Sequence, residues 1–289
     1  MKRMKTFLAA FLSLALAMPT TFSGVVAAEE AKTYKPGVTV EANQTGKSDA
    51  AYQATFVYES DEDIEKVTVA GNFQWHLESE RDQYKPNNSN DDMQQFRAED
   101  YKAGMYNSSG LHGQEAYELE ETSEGHYQVT IPVPGNLYFY DYTVTYADGS
   151  KVTMKDPANM PKANPANGHD SGHSLVYVGN GANCTKGQEW IYPRTDGKTG
   201  TVQYVTYTAF DGSTQPLGIY LPYGYDSSKT YKTIYMSHGG GGNEMEWSQL
   251  GAAKNIFDNL INDGQVKPTV VVMINESGIA GGFQTDKVV

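Results

Sequence analysis

The feature that most constrains this 289-residue chain is a punctuated run near its end. Thr233-Ile234-Tyr235-Met236 is a short β-branched and aromatic stretch that leads into Ser237-His238-Gly239-Gly240-Gly241-Gly242. Leu250, Ile256, Phe257, Leu260 and Ile261 follow at the spacing of one helix face, which stops at Gly264. Thr269-Val270-Val271-Val272-Met273-Ile274 is then apolar without alternation, the pattern of a strand buried on both faces in a parallel sheet. Strand, helix, strand is a βαβ unit, so residues 201–289 are predicted to be α/β, opened by an alternating pair at 202–209 and 217–221. The piece is expected to be incomplete, with strand 269–274 left as an open edge.

The chain before it reads differently. Alternating β-branched and aromatic runs at 52–58, 66–70, 125–131 and 137–144 are separated by Gly, Pro and Asp turns, which predicts an all-β sandwich over 51–178. Asp148-Gly149 marks a hairpin, and 174–178 is the closing strand. A polar stretch from Trp75 to Glu118 has little periodicity and is expected to be a long loop. Residues 179–200 read as a linker, where limited proteolysis is expected to separate the two parts. Residues 29–50 are polar and read as a flexible leader. Residues 1–28 have a basic start, an apolar run from 7 to 18 and small residues at the exit. That is the build of a secretory signal peptide, cleaved near Ala27 or Ala28, and the mature protein is expected to be exported with no membrane span.

Without those 28 residues the chain carries 19 basic and 35 acidic side chains, a net −16. Such a surface repels phosphate backbones and argues against nucleic-acid binding, while a neutral polysaccharide is compatible with it. The 21 tyrosines fit either exposed stacking surfaces or half-buried strands. Cys184 is the single cysteine, which excludes an internal disulfide and reads as structural. His169 and His173 flank Asp170, but three ligands within five loop residues fit a zinc site poorly, so neither a metal nor a cofactor is expected. Trp75 is the candidate sugar contact, by stacking on a pyranose face; packing beneath the long loop is the other role open to it.

Glycines directly after a strand let backbone N–H groups approach a bound atom. A phosphate loop is one reading, although the Gly-Lys-Ser/Thr ending is missing; an oxyanion loop and a purely structural turn are the others. Leu217-Gly218-Ile219-Tyr220-Leu221-Pro222-Tyr223-Gly224-Tyr225-Asp226, His238 to Gly242 and Val270-Val271-Val272 together resemble carbohydrate esterase family 1, which holds feruloyl and acetyl-xylan esterases. Val69-Ala70-Gly71-Asn72-Phe73 and Asp156-Pro157-Ala158-Asn159 resemble the immunoglobulin-like module that precedes many such esterases, akin to family 48 carbohydrate-binding modules. The resemblance implies a sandwich followed by the first part of an α/β-hydrolase fold, with a Ser-Asp-His triad. It makes Gly240 and Gly241 the oxyanion-loop candidates. The family's Gly-x-Ser-x-Gly turn is absent, since Gly168-His169-Asp170-Ser171-Gly172 has the letters at the wrong spacing. The expected parent is therefore a secreted serine esterase removing feruloyl or acetyl groups from arabinoxylan-type cell-wall polysaccharide, with this chain inactive by itself. The alternative is a non-catalytic polysaccharide-binding protein.

Overall fold

The computed structural model describes residues 32–83, 94–107, 116–181, 183–185 and 187–277. The expected signal peptide lies outside them. The front part holds eleven strands: β1 (Gly37–Ala42), β2 (Tyr52–Glu59), β3 (Ile64–Gly71), β4 (Trp75–His76), β5 (Tyr106–Asn107), β6 (Tyr117–Glu118), β7 (Glu120–Ser123), β8 (His126–Val133), β9 (Asn136–Tyr146), β10 (Lys151–Met154) and β11 (Ser174–Val178). They form one sheet in the order β1-β2-β8-β7 and a second in the order β10-β9-β3-β6, with β11 also on β9. Every pairing here is antiparallel. Residues of β2 and β8 from the first sheet and of β3, β9 and β11 from the second pack into a single core, which is what makes the pair a sandwich.

Alternation along β9 sets its centre. Tyr138, Tyr140, Tyr142 and Val144 point inward and are fully buried, and Phe56 of β2 meets the Tyr140 ring edge-on at 4.8 Å. Each buried phenol hydroxyl needs an acceptor. Tyr138 donates to Pro134 O at 2.8 Å and Tyr140 to the buried Asp156 carboxylate at 2.7 Å. Much of the tyrosine load is core rather than stacking surface. The hairpin at Asp148-Gly149 forms, with Tyr146 N–H donating to Ser150 O at 2.9 Å.

Three expectations change here. Residues 29–50 do not form a leader throughout, because residues 37–42 are β1, paired along its length with β2 and packing Val38 and Val40 on the core. The stretch from Trp75 to Glu118 is not one loop: β4 pairs with β5, Trp75 pairs with Phe96, and two short 3-10 helices punctuate the described residues. Residues 179–200 are a docked strap rather than a free linker. A 3-10 turn at Glu189–Ile191 buries Ile191, Tyr192 is buried beside it, and Asn259 donates to the carbonyls of Trp190 and Tyr192.

The second part has four strands, β12 (Thr201–Thr208), β13 (Thr214–Leu221), β14 (Lys232–Ser237) and β15 (Thr269–Ile274), and two helices, α1 (Glu246–Gln249) and α2 (Ala253–Asn262). The sheet order is β12-β13-β15-β14, with β14 and β15 parallel. The apolar strand β15 therefore lies inside rather than at an edge; among the described residues the edge strands are β12 and, beside β15, β14. Its Ile234 and Tyr235 are 40% and 66% exposed. Helix α2 packs Ala253, Phe257 and Ile261 with Tyr220, Val271 and Met273, and turns Ile256 toward the strap. Buried Asp258 ties it down, accepting from Gly200 N at 2.6 Å, Tyr220 hydroxyl at 2.8 Å and Lys254 Nζ at 2.7 Å. Leu250 stands outside α2, because Ala252 adopts φ +48° and separates the two helices.

Candidate active site

β14 ends at Ser237, and His238 to Gly242 turn the chain toward α1. The turn closes through Gly242 N–H donating to Gly239 O at 3.0 Å. Gly241 has φ +82°, a region that side-chain-bearing residues rarely adopt. A Cβ on Gly240 or Gly241 would meet nothing within 4 Å, and among the described residues neither N–H makes a hydrogen bond. Gly242 is fixed for a different reason. A Cβ there would overlap Glu246 Oε2 and stand 3.1 Å from His238 Cβ. The Glu246 carboxylate thus lies against the Gly239 and Gly242 sides of the turn and opposes an anion there, which leaves Gly240 and Gly241 as the glycines with open side-chain positions and unpaired N–H groups among the described residues.

The flanks of this loop are held from several directions. His238 is buried; its Nδ1 is 2.7 Å from Gly239 O, and its Nε2 accepts from Glu276 N–H at 3.3 Å. Trp247 donates its indole N–H to Ser237 O at 2.7 Å, and Ser277 donates its hydroxyl to Gly242 O at 3.2 Å. Glu244, two residues past the glycines, is completely buried. It accepts from Asn164 Nδ2, Asn167 Nδ2 and Asn275 Nδ2, each at 2.8 Å, and pairs with His169 Nδ1 at 3.0 Å. Burial works against its charge, but the donors Asn167, His169, Asn164 and Asn275 outweigh it and hold the carboxyl down at about 2.

Sequence reasoning missed Glu244 and Glu246. The available signal was two acids placed immediately after a glycine run, but the partners of Glu244 lie 31 to 80 residues away in sequence. Trp75 is not where a sugar contact is needed. Its indole is 0% exposed, packed edge-on against Tyr101 at 5.5 Å and Tyr138 at 6.3 Å, so it presents no face to a ligand. His169 and His173 turn to different partners, Glu244 and Asp141. Among the described residues no group of three His, Cys, Asp or Glu is placed to hold a metal ion. Cys184 donates to Gly181 O at 3.2 Å, and burial raises its thiol above the usual value, contrary to what a reactive thiolate requires. A groove of about 450 Å³ opens beside α1 between the two parts, lined by Asn136, Phe139 and Gln188 on one side and Trp247 and Leu250 on the other.

Residues 211–285, which contain this loop, match the family described as "Putative esterase". This segment is similar to esterases. The resemblance to carbohydrate esterase family 1 holds for this segment, while the likeness of the sandwich to a named module stays a sequence reading. The chain is 31% identical over 172 residues to an endo-1,4-beta-xylanase/feruloyl esterase of Xylanibacter ruminicola, covering 57% of this chain and 22% of that protein. It is 42% identical over 76 residues to endo-1,4-beta-xylanase Y of Acetivibrio thermocellus, covering 26% of this chain and 7% of the relative. Among solved structures, the feruloyl esterase module of Clostridium thermocellum complexed with sinapinate shares 39% identity over 29% of each chain, with a TM-score of 0.27. The chain thus spans about a fifth of the length of the first relative and under a tenth of the second.

Proposed function

We propose that this chain carries the oxyanion-loop side of a carboxylic-ester hydrolase that removes feruloyl or acetyl groups from xylan-type polysaccharide. One observation carries the reading: a tight turn after β14, inside the segment that matches esterases, that holds two N–H groups without hydrogen-bond partners among the described residues and leaves the side-chain positions of both glycines open. In acyl transfer a nucleophile adds to the ester carbonyl, and the oxygen that becomes negative is stabilised by donors fixed before the reaction. Gly240 and Gly241 are those donors. A serine, a base and an acid complete the chemistry, and the 289 residues contain no Gly-x-Ser-x-Gly, so the chain alone does not turn over. The xylan-active relatives support the polysaccharide as substrate. The sandwich serves as an immunoglobulin-like companion module, and export through residues 1–28 brings the protein to its substrate.

The test compares the 289-residue chain with the longest reading frame that contains it, on methyl ferulate and on 4-nitrophenyl acetate. The longer protein should contain Gly-x-Ser-x-Gly and hydrolyse at least one ester, while the shorter should hydrolyse neither. Hydrolysis by the shorter chain at the rate of the longer would overturn the assignment.

A further inference from the structure

The glycine loop has one deep attachment to the sandwich, and it passes through a single carboxylate. Glu244 lies two residues past the last glycine and is 0% exposed. Two of its four side-chain partners are asparagines of the 164–167 turn, which closes through Gly168 N–H to Asn164 O at 2.8 Å; the third is His169 at the end of that turn. The fourth, Asn275, stands just beyond β15 in the esterase sheet. Asn243 adds a bond to Asp170 O at 3.0 Å, and Gln249 of α1 accepts from Ser171 N–H at 2.9 Å. A carboxylate has about four acceptor positions, so these donors use the group fully. A buried charge satisfied in this way is costly to disturb, because any lost partner leaves it short of a donor in a dry site.

We infer that Glu244 is a positioning residue: it sets the glycine loop by clamping it between the 164–169 turn of the sandwich and the end of β15. The sandwich is then a working part of the ester-hydrolysing site rather than a tethered passenger. This rests on Gly240 and Gly241 being oxyanion donors, but its test needs no catalysis, so the two ideas fail separately. Facing Glu244 are His169 on the sandwich turn and Tyr204 of β12, whose phenol is pushed up by burial first and then by this charge; the titratable groups nearest to it and its partners along the chain are His238, Glu246 and Glu276.

Hydrogen exchange followed by mass spectrometry on the full 289-residue chain reads the clamp in peptides covering 164–169 and 238–245. Glu244→Gln should raise exchange in both peptides together, by roughly ten- to a hundred-fold, while β2 and β9 keep their protection. Asn164→Ala, changed on the sandwich only, should loosen the glycine loop as well, and Asn167→Ala is the milder variant if Asn164→Ala fails to fold. A carboxyl held below its unfolded value stabilises above that value, about 4.3, and loses the effect as pH falls toward its folded one. Protection of both peptides should therefore fall progressively from about pH 5 toward pH 2 in the parent and stay flat in Glu244→Gln. Unchanged glycine-loop exchange in Asn164→Ala and Asn167→Ala, or the same acid-side drop in Glu244→Gln, would overturn the inference.

Discussion

In the sandwich, the two sheet faces that carry large apolar side chains meet each other. Among the described residues, only one of the two faces of the second sheet is covered by helix. Tyr138, Tyr140, Tyr142, Phe56 and Trp75 are buried to 2% exposure or less within one continuous core. The esterase sheet buries Tyr220, Val271 and Met273 under α2, yet β14 leaves Ile234 and Tyr235 in water and β12 leaves Val205 at 40% exposure. The first region therefore holds its own core. The second depends on attachments: the strap through Asn255 and Asn259, the hydrogen-bonded Asp258, and the Glu244 clamp.

This contrast can be broken most sharply at Trp75. If the sandwich core is as closed as its geometry indicates, Trp75→Ala opens a cavity and costs roughly 3–5 kcal/mol. Urea unfolding of the chain measures it. A loss under about 1 kcal/mol would mean that the indole is not core, and would return it to the surface as a sugar contact. The opposite arm is the edge. Tyr235→Lys on β14 should change stability by less than about 0.5 kcal/mol, because a largely exposed ring gives up little burial. It should nonetheless slow aggregation at high concentration, since an edge lysine blunts strand-to-strand pairing. Light scattering at matched concentrations checks this, and an unchanged aggregation rate would mean that the exposed edge is harmless.

The regular parts of both regions were legible because they rest on local patterns. Alternation gave β2, β8 and β9, and the turn chemistry of Asp148-Gly149 gave the hairpin that ends β9. The uninterrupted Val270-Val271-Val272 run gave the strand itself, but its place was expected at an open edge, whereas it lies between β13 and β14. That β15 inserts between β13 and β14 depends on pairings across 30 to 60 residues, which no local period encodes. β1 was missed because Lys, Pro, Gly and Asn surround a six-residue strand whose burial comes from pairing with β2. Trp75 was misplaced for a similar reason: its cover comes from Tyr101 and Tyr138, set by the fold and not by the polar residues beside it. At the site, the glycines announced themselves, whereas Glu244 did not. A buried acid is recognised by its donors, and three of the four belong to the other region.

The central claim, that this turn stabilises a developing oxyanion, is tested most directly by replacing Gly241 in the longest reading frame that hydrolyses an ester. Gly241 is the better target of the two. A valine at φ +82° must move the backbone, while the open space beside Gly240 would accept a Cβ without moving its N–H. Steady-state kinetics of Gly241→Val on methyl ferulate, beside Gly240→Ala as the mild control, should show kcat lowered roughly a hundred- to a thousand-fold, with KM little changed. Parental kcat in a folded Gly241→Val protein would contradict the oxyanion assignment.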